Sequence, residues 1–243
     1  MPTSQNSLLG ALRPDDFALL QSDLKSAFVR TGQVLYHPGD EIRQVYFPLH
    51  ATVLAFRVVI DDGQAIETAL IGREGAVAGV VSEGRVPAYC RIEVWHEGPV
   101  MRVEVERLEA AKMRSPTVRH LFSRYADCLM AQVFQQVACN AAHSIEQRAA
   151  RWVLAAGERI SDTNIPYTQE QLAGALGVGR SYLNRVMQTL KAKGLIETRR
   201  SGLTVLDANG LHALSCRCND AVRRHFEEVL RGVYPEETAA AAK

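Results

Sequence analysis

The apolar period of this 243-residue chain changes once, near residue 110, and that change constrains the architecture more than any other feature. Up to that point the chain is a series of short runs rich in β-branched and aromatic residues. The stretch from Gly32 to Asp40 reads as a strand closed by a Pro38-Gly39 turn. Val45 to Phe47 and Thr52 to Ile60 follow as strands, and Asp62-Gly63 is a hairpin turn before Ala65 to Ile71. Tyr89 to Trp95 and Pro99 to Val105 are further predicted strands. Short strands punctuated by Gly and Pro point to an antiparallel sandwich or barrel. From Ser115 to Ala142 there is then no glycine, and the only proline is Pro116. Phe122, Leu129, Met130, Val133 and Val137 recur there at helical steps, predicting one long amphipathic helix. A helix of about 25 residues leaving a β domain fits a seam between two subunits better than a core helix of that domain.

A second helix is expected from Ser144, which has capping-box spacing to Gln147, with Ile145, Ala149, Trp152 and Val153 on one face. Asn140 to His143 is then the hinge between domains, and Asp162 to Pro166 reads as a loop. Thr168 to Met187 follows. Thr168 and Gln171 form another capping-box pair, Ala173 is small where two helices must cross, and Gly177 permits the positive φ of a tight turn. Leu172, Leu176, Val178, Leu183 and Val186 are the apolar set that fixes the angle between the helices. This is the pattern of a helix-turn-helix. Arg180, Ser181, Tyr182, Asn184 and Arg185 are left facing outward, all able to hydrogen-bond bases or phosphates. Thr168 and Gln169, at the start of the first helix, complete the expected DNA-binding face. Gly194 to Leu206 reads as a β-wing whose tip, Arg199 and Arg200, suits phosphate contact.

Charge supports a division of labour. The net charge is only +1, but Asp61 to Glu106 holds nine acids and four bases, whereas Arg180 to Arg200 holds six bases and one acid. Such segregation favours one end facing a polyanion and another with a separate task. No run approaches the ~18 apolar residues of a membrane span, and Met1 to Gly10 is polar, so a cytoplasmic protein is expected. Neither a nucleophile elbow, a phosphate-binding glycine loop nor an H-E-x-x-H motif is present, and an enzyme is not expected. The competing class is a ligand- or redox-sensing adaptor acting through protein partners, and the intact basic face argues against it.

With these residues in view, the chain resembles the Crp/Fnr family of bacterial transcription regulators. "GQVLYHPGD", "VYFPL" and "LIGREGAVAG" look like that family's cyclic-nucleotide-binding-type β-roll, and "YTQEQLAGALGVGRSYLNRVMQTLKAKGLI" is similar to its winged helix-turn-helix. The resemblance implies an α+β chain in three parts. Residues 1–110 would be an antiparallel, jelly-roll-like β-roll sensor, 111–142 a dimerisation helix, and 143–243 a winged helix-turn-helix. It implies a homodimer on double-stranded DNA with a near-palindromic site, and RNA polymerase as a partner if the protein activates. Arg180 and Arg185 would contact base edges or phosphates. Ser181 replaces the acidic residue of well-known members, and Gly179 a common capping serine, so their half-site does not carry over.

The expected effector pocket holds Glu74, Gly75 and Arg85. The Arg-Ser or Arg-Ala-type pair that holds the phosphate of cyclic AMP in such proteins is missing from Arg85 to Tyr89, which argues against cyclic AMP. No cysteine precedes Cys90, which argues against the family's N-terminal iron–sulfur cluster, and the effector stays unidentified. Cys139 and His143 share a helical face and, with Cys216 and Cys218, have the donors of a zinc or redox site. The sequence favours the plainer reading: a buried thiol, a hinge residue, an ordinary C-terminal pair, and no metal. His37, His50 and His96 likewise read as surface or core histidines rather than haem ligands.

Overall fold

The computed structural model of the chain describes residues 5–234 apart from 62, 83, 85, 200 and 201. Two short helices, α1 (Ser7–Gly10) and α2 (Pro14–Gln21), precede seven strands. These are β1 (Lys25–Val29), β2 (Val34–Tyr36), β3 (Gln44–Pro48), β4 (Val53–Val59), β5 (Ala65–Ile71), β6 (Arg91–His96) and β7 (Gly98–Glu104). They form two antiparallel sheets, β1-β7-β3 and β2-β6-β4-β5. Val29, Tyr36, Leu54, Ile71, Val94 and Val100 from both sheets share one core, so the expected antiparallel β-roll is present.

Three details differ from expectation. The Gly32–Asp40 strand shrinks to Val34–Tyr36, because Gly32 and Gly39 sit at φ 80° and 90° and turn the chain at either side. β1 escapes sequence reading because only Val29 of its five residues is buried. The expected loop at Asp162 to Pro166 contains β8 (Asn164–Pro166), which becomes a strand by pairing Ile165 with Leu203.

After α3 (Val105–Arg114) comes the long helix α4 (Pro116–Ala142), started by Pro116 at its first position and by Ser115, whose hydroxyl accepts from the Val118 amide. Its first half is core. Val118, Leu121, Phe122 and Tyr125 are buried among Leu8, Leu9, Phe47, Val103 and Leu108. Phe122, expected at the subunit seam, instead meets Phe47 edge-on at 6.2 Å, fully inside its own chain. Leu129 is half-buried between both β-roll cores. Beyond it the stripe turns outward: Met130, Val133, Phe134 and Val137 are 50%, 43%, 65% and 64% exposed.

The remaining elements are α5 (Ile145–Ile160), α6 (Gln169–Leu176), α7 (Arg180–Ala192), β9 (Ile196–Arg199), β10 (Gly202–Val205), α8 (Ala208–Leu214) and α9 (Cys218–Arg231). Ser144 caps α5 through the expected box with Gln147. Helix α9 returns along α4: Phe226 meets Tyr125 edge-on at 6.3 Å, and Arg124 Nη1 donates to the Val229 carbonyl at 2.8 Å. Beyond it, the Tyr234 hydroxyl bonds Asp16 at 2.6 Å. No helix among the described residues is long and apolar enough to cross a membrane.

Candidate nucleic-acid interface

Helix α6 begins at a reciprocal box in which Gln171 N donates to Thr168 Oγ1 at 3.0 Å and Thr168 N to Gln171 Oε1 at 2.8 Å. It ends at Gly177, in left-handed conformation at φ 64°, ψ 39°. Two residues later Gly179 caps α7 with no side-chain bond, as the missing serine predicts. Leu172, Leu176, Leu183 and Val186 are buried in the angle between the helices, and Val178 is half-buried against them. The turn, caps and core are those of a helix-turn-helix.

What that core leaves outside is the face singled out in the sequence. Arg180, Ser181, Tyr182, Asn184 and Arg185 are all exposed, as are Thr168 and Gln169. Arg180 pairs with Glu170 at 3.0 Å, but both side chains are mostly in solvent, and such pairs contribute roughly 0.2–1 kcal/mol. Exchanging that carboxylate for a phosphate or a base edge therefore costs little. The Arg185 guanidinium lies 5.3 Å from the Tyr182 ring centroid, which orders its fork without using its donors. The wing is a three-stranded sheet, β8-β10-β9, with Arg199 exposed at the end of β9. Arg200 lies outside the described residues, as does Arg85 of the expected effector pocket.

The helix-turn-helix rests on the β-roll, a contact that no sequence pattern predicts. Trp152 of α5 meets Trp95 of β6 edge-on at 5.6 Å and Tyr167 at 6.4 Å. Its indole donates to Glu67 Oε1 at 2.9 Å. Burial pushes the Glu67 carboxyl up to about 7, against a smaller opposing pull from that bond and from Arg57, Arg159 and Arg151. Its second oxygen is buried without a partner. On α6, Gly174 comes so close to β5 that a Cβ would stand 3.0 Å from the Ala65 carbonyl. Only the glycine at this position in the sequence could have hinted at the approach.

Glu74 and Gly75 have structural partners here. Arg159 Nε of α5 donates to Glu74 Oε1 at 2.8 Å, and a Cβ on Gly75 would collide with the Tyr125 hydroxyl. That hydroxyl donates to the Ala76 carbonyl and accepts from the Ala76 amide. Glu67, Glu74, Gln132, Arg151, Arg159 and Phe226 border a cavity of about 670 Å³ where β5, α4, α5 and α9 meet.

The fold also joins residues the sequence left apart. Because α9 runs back along α4, the Cys216–Cys218 pair at its start is brought to the last turn of α4. The ligating atoms of Cys139, His143, Cys216 and Cys218 all lie within 4.8 Å of one another. The reading of four unrelated residues is corrected on this point. The i, i+4 and C-x-C spacings were its only sequence signal.

The Crp-like helix-turn-helix domain matches residues 147–214. No curated protein sequence is significantly similar to the chain. Among solved structures, FixK2 of Bradyrhizobium japonicum is 14% identical with a TM-score of 0.68, covering 79% of this chain and 98% of its own. A CRP-family transcriptional regulator of Thermus thermophilus is 19% identical with a TM-score of 0.67, covering 78% and 96%. A Crp/Fnr-family regulator of Eubacterium rectale is 19% identical with a TM-score of 0.63, covering 85% and 96%. The chain thus carries a Crp-like helix-turn-helix domain on a fold shared with Crp/Fnr transcriptional regulators, the architecture of a DNA-binding transcription regulator.

Proposed function

We propose that the protein regulates transcription in the cytoplasm as a homodimer that reads a near-palindromic DNA site, acting by binding rather than catalysis. The observation that carries this is the exposed face of α7, which presents Arg180, Ser181, Tyr182, Asn184 and Arg185 on a capped and rigidly packed scaffold. Side chains at the start of such a helix reach base edges in the major groove, and two copies about 34 Å apart read two half-sites. Thr168, Gln169 and the wing arginines Arg199 and Arg200 then contact the sugar-phosphate backbone.

The second copy docks on the outward stripe of α4. Met130, Val133, Phe134 and Val137 follow i, i+3, i+4, i+7 spacing, the pattern of a helix–helix seam, and no other part of the described chain buries them. Phe134 joins the seam and Phe122 leaves it. In this reading residues 1–110 receive the signal, 111–142 pair the subunits and 143–243 bind DNA. RNA polymerase is the further partner if the protein activates. Glu74 and Gly75, at the contact between β-roll and α5, are where a signal would act. A phosphate ligand there would have to compete with the Arg159–Glu74 pair.

The test compares affinity against salt concentration for Arg185→Ala and Arg199→Ala on a selected site and a scrambled duplex. Losing a bidentate Arg–guanine contact costs about 1–3 kcal/mol and relaxes preference at one base position. Losing a wing arginine weakens both duplexes alike and lowers the salt slope by about one unit per subunit. Equal loss on both duplexes for Arg185→Ala would make it a phosphate contact. No loss for either variant would end the DNA-binding assignment of this face.

A further inference from the structure

We propose that Cys139, His143, Cys216 and Cys218 form a mononuclear, tetrahedral zinc site that ties the C-terminal segment to the hinge end of α4. The inference does not depend on which bases α7 reads. Cys139 sits in the last turn of α4, and His143 is that helix's C-cap, four residues on. Cys216, in the turn joining α8 to α9, and Cys218, the first residue of α9, are more than 70 residues away and reach the site because α9 packs along α4.

The spacing is that of ligands around one ion. Cys139 Sγ and Cys216 Sγ are 3.5 Å apart, Cys218 Sγ and His143 Nδ1 are 3.6 Å apart, and no pair of ligating atoms exceeds 4.8 Å. Zinc–sulfur bonds of about 2.3 Å and zinc–nitrogen bonds of about 2.0–2.1 Å put the edges of a tetrahedron at roughly 3.5–3.8 Å. The two closest pairs already stand within a few tenths of an ångström of these edges, and shifts of no more than about 1 Å in the others would complete the figure. A cluster of several irons would hold its cysteines farther apart, so the spacing fits a single ion.

Donor chemistry narrows the ion. Three thiols and an imidazole, with no carboxylate in the set, suit a borderline-soft metal and match the Cys₃His composition of closed structural zinc sites. The three cysteines are buried and form an apolar-type cluster of their own, while half-exposed His143 leaves a path from solvent. Gln135 Nε2 donates to Cys218 Sγ at 3.3 Å, the kind of outer bond that orients a thiolate ligand. Three thiolates on a divalent ion leave one negative charge. The Arg148 and Arg151 guanidinium groups are near enough to act on the thiols electrostatically and offset it. On binding, each thiol releases its proton to solvent, and neutral His143 donates a ring lone pair.

The test uses the full chain, reduced and stripped with a chelator, then titrated with Co²⁺ alone. One equivalent per chain should develop the visible d–d bands and sulfur-to-metal charge transfer of tetrahedral thiolate coordination, and Zn²⁺ should bleach them stoichiometrically. Loss of an outer-shell partner costs 10–100-fold in metal affinity, so Cys216→Ser and His143→Ala should each weaken binding by more than about 100-fold. Cys90→Ser, in the β-roll, should change nothing. His143→Ala removes a half-exposed side chain and should leave the fold intact by circular dichroism, so a folding failure at Cys216 does not decide the outcome. Absence of the tetrahedral spectrum in fully reduced protein would overturn the proposal. So would a spectrum that survives both substitutions, or a Cys139–Cys216 disulfide whose reduction does not open a metal site.

Discussion

The two halves of α4 carry the same apolar spacing and do opposite things with it. In the first half, Val118, Leu121, Phe122 and Tyr125 disappear into the chain's own core against α1, β3, β7 and α3. In the second, Met130, Val133, Phe134 and Val137 stand in solvent. A period of three to four residues says that one face of a helix seeks cover, but not whose surface provides it. Here the described chain covers the first apolar set and leaves the second exposed. In the proposed dimer, the second copy covers this remainder.

The sharpest break between the halves comes from cutting a large side chain on each side of the boundary. Phe122→Ala should cost about 3–5 kcal/mol, because it opens a cavity beside Phe47 in the core between the helices and the β1-β7-β3 sheet. The measurement is chemical denaturation, and the native protein should sediment unchanged. A Phe122→Ala protein that turns monomeric without losing stability would put Phe122 back at the subunit seam.

On the other side, Val133→Asp with Phe134→Asp should give monomers by analytical ultracentrifugation. Each side chain contributes roughly 1.5–3 kcal/mol when fully buried in a partner. The monomer itself should unfold within about 1 kcal/mol of the parent's monomeric limit, since these side chains are exposed in the single chain. A double variant that still sediments as a dimer would move the seam off α4.

The same distinction decides what can be read from the sequence. The caps at Ser144 and Thr168, the Gly177 turn and the period change near residue 110 are local, and each is legible because a few adjacent residues determine it. The long helix is legible too, but which of its apolar residues stay exposed is not: the sequence pattern includes buried Phe122 and leaves out exposed Phe134. Contacts between distant elements leave no local mark. The edge-on Trp95–Trp152 contact, the Glu67–Trp152 bond and the meeting of Cys139 with Cys216 depend on how α5 and α9 dock. Sequence separations of 57 to 85 residues carry no periodic signal to reveal them.

Helix α5 supplies a third case, an apolar face covered by the chain itself but across a domain contact, and its effect should be the smallest. Glu67 is buried where β5 meets α5, and burial holds its carboxyl near 7 rather than at the ordinary 4.5. An acid whose value is raised on folding binds more protons folded than unfolded, so its contribution is fully present below about pH 4.5 and fades as pH rises through about 7. Between about pH 6 and pH 8 the contact should weaken by on the order of 1 kcal/mol, as a carboxylate charge develops beside Trp152. Glu67→Gln keeps an acceptor for the indole and removes the proton. It should therefore flatten this pH dependence, read from hydrogen exchange of the α5 and α6 amides rather than from global melting. Loosening on raising the pH should be visible in the parent and absent in Glu67→Gln. If the two proteins respond alike, ionisation of Glu67 does not control the contact, and the docking of the helix-turn-helix on the β-roll rests on its other contacts, the Trp95–Trp152 face, the Arg159–Glu74 pair and the approach of Gly174 to Ala65.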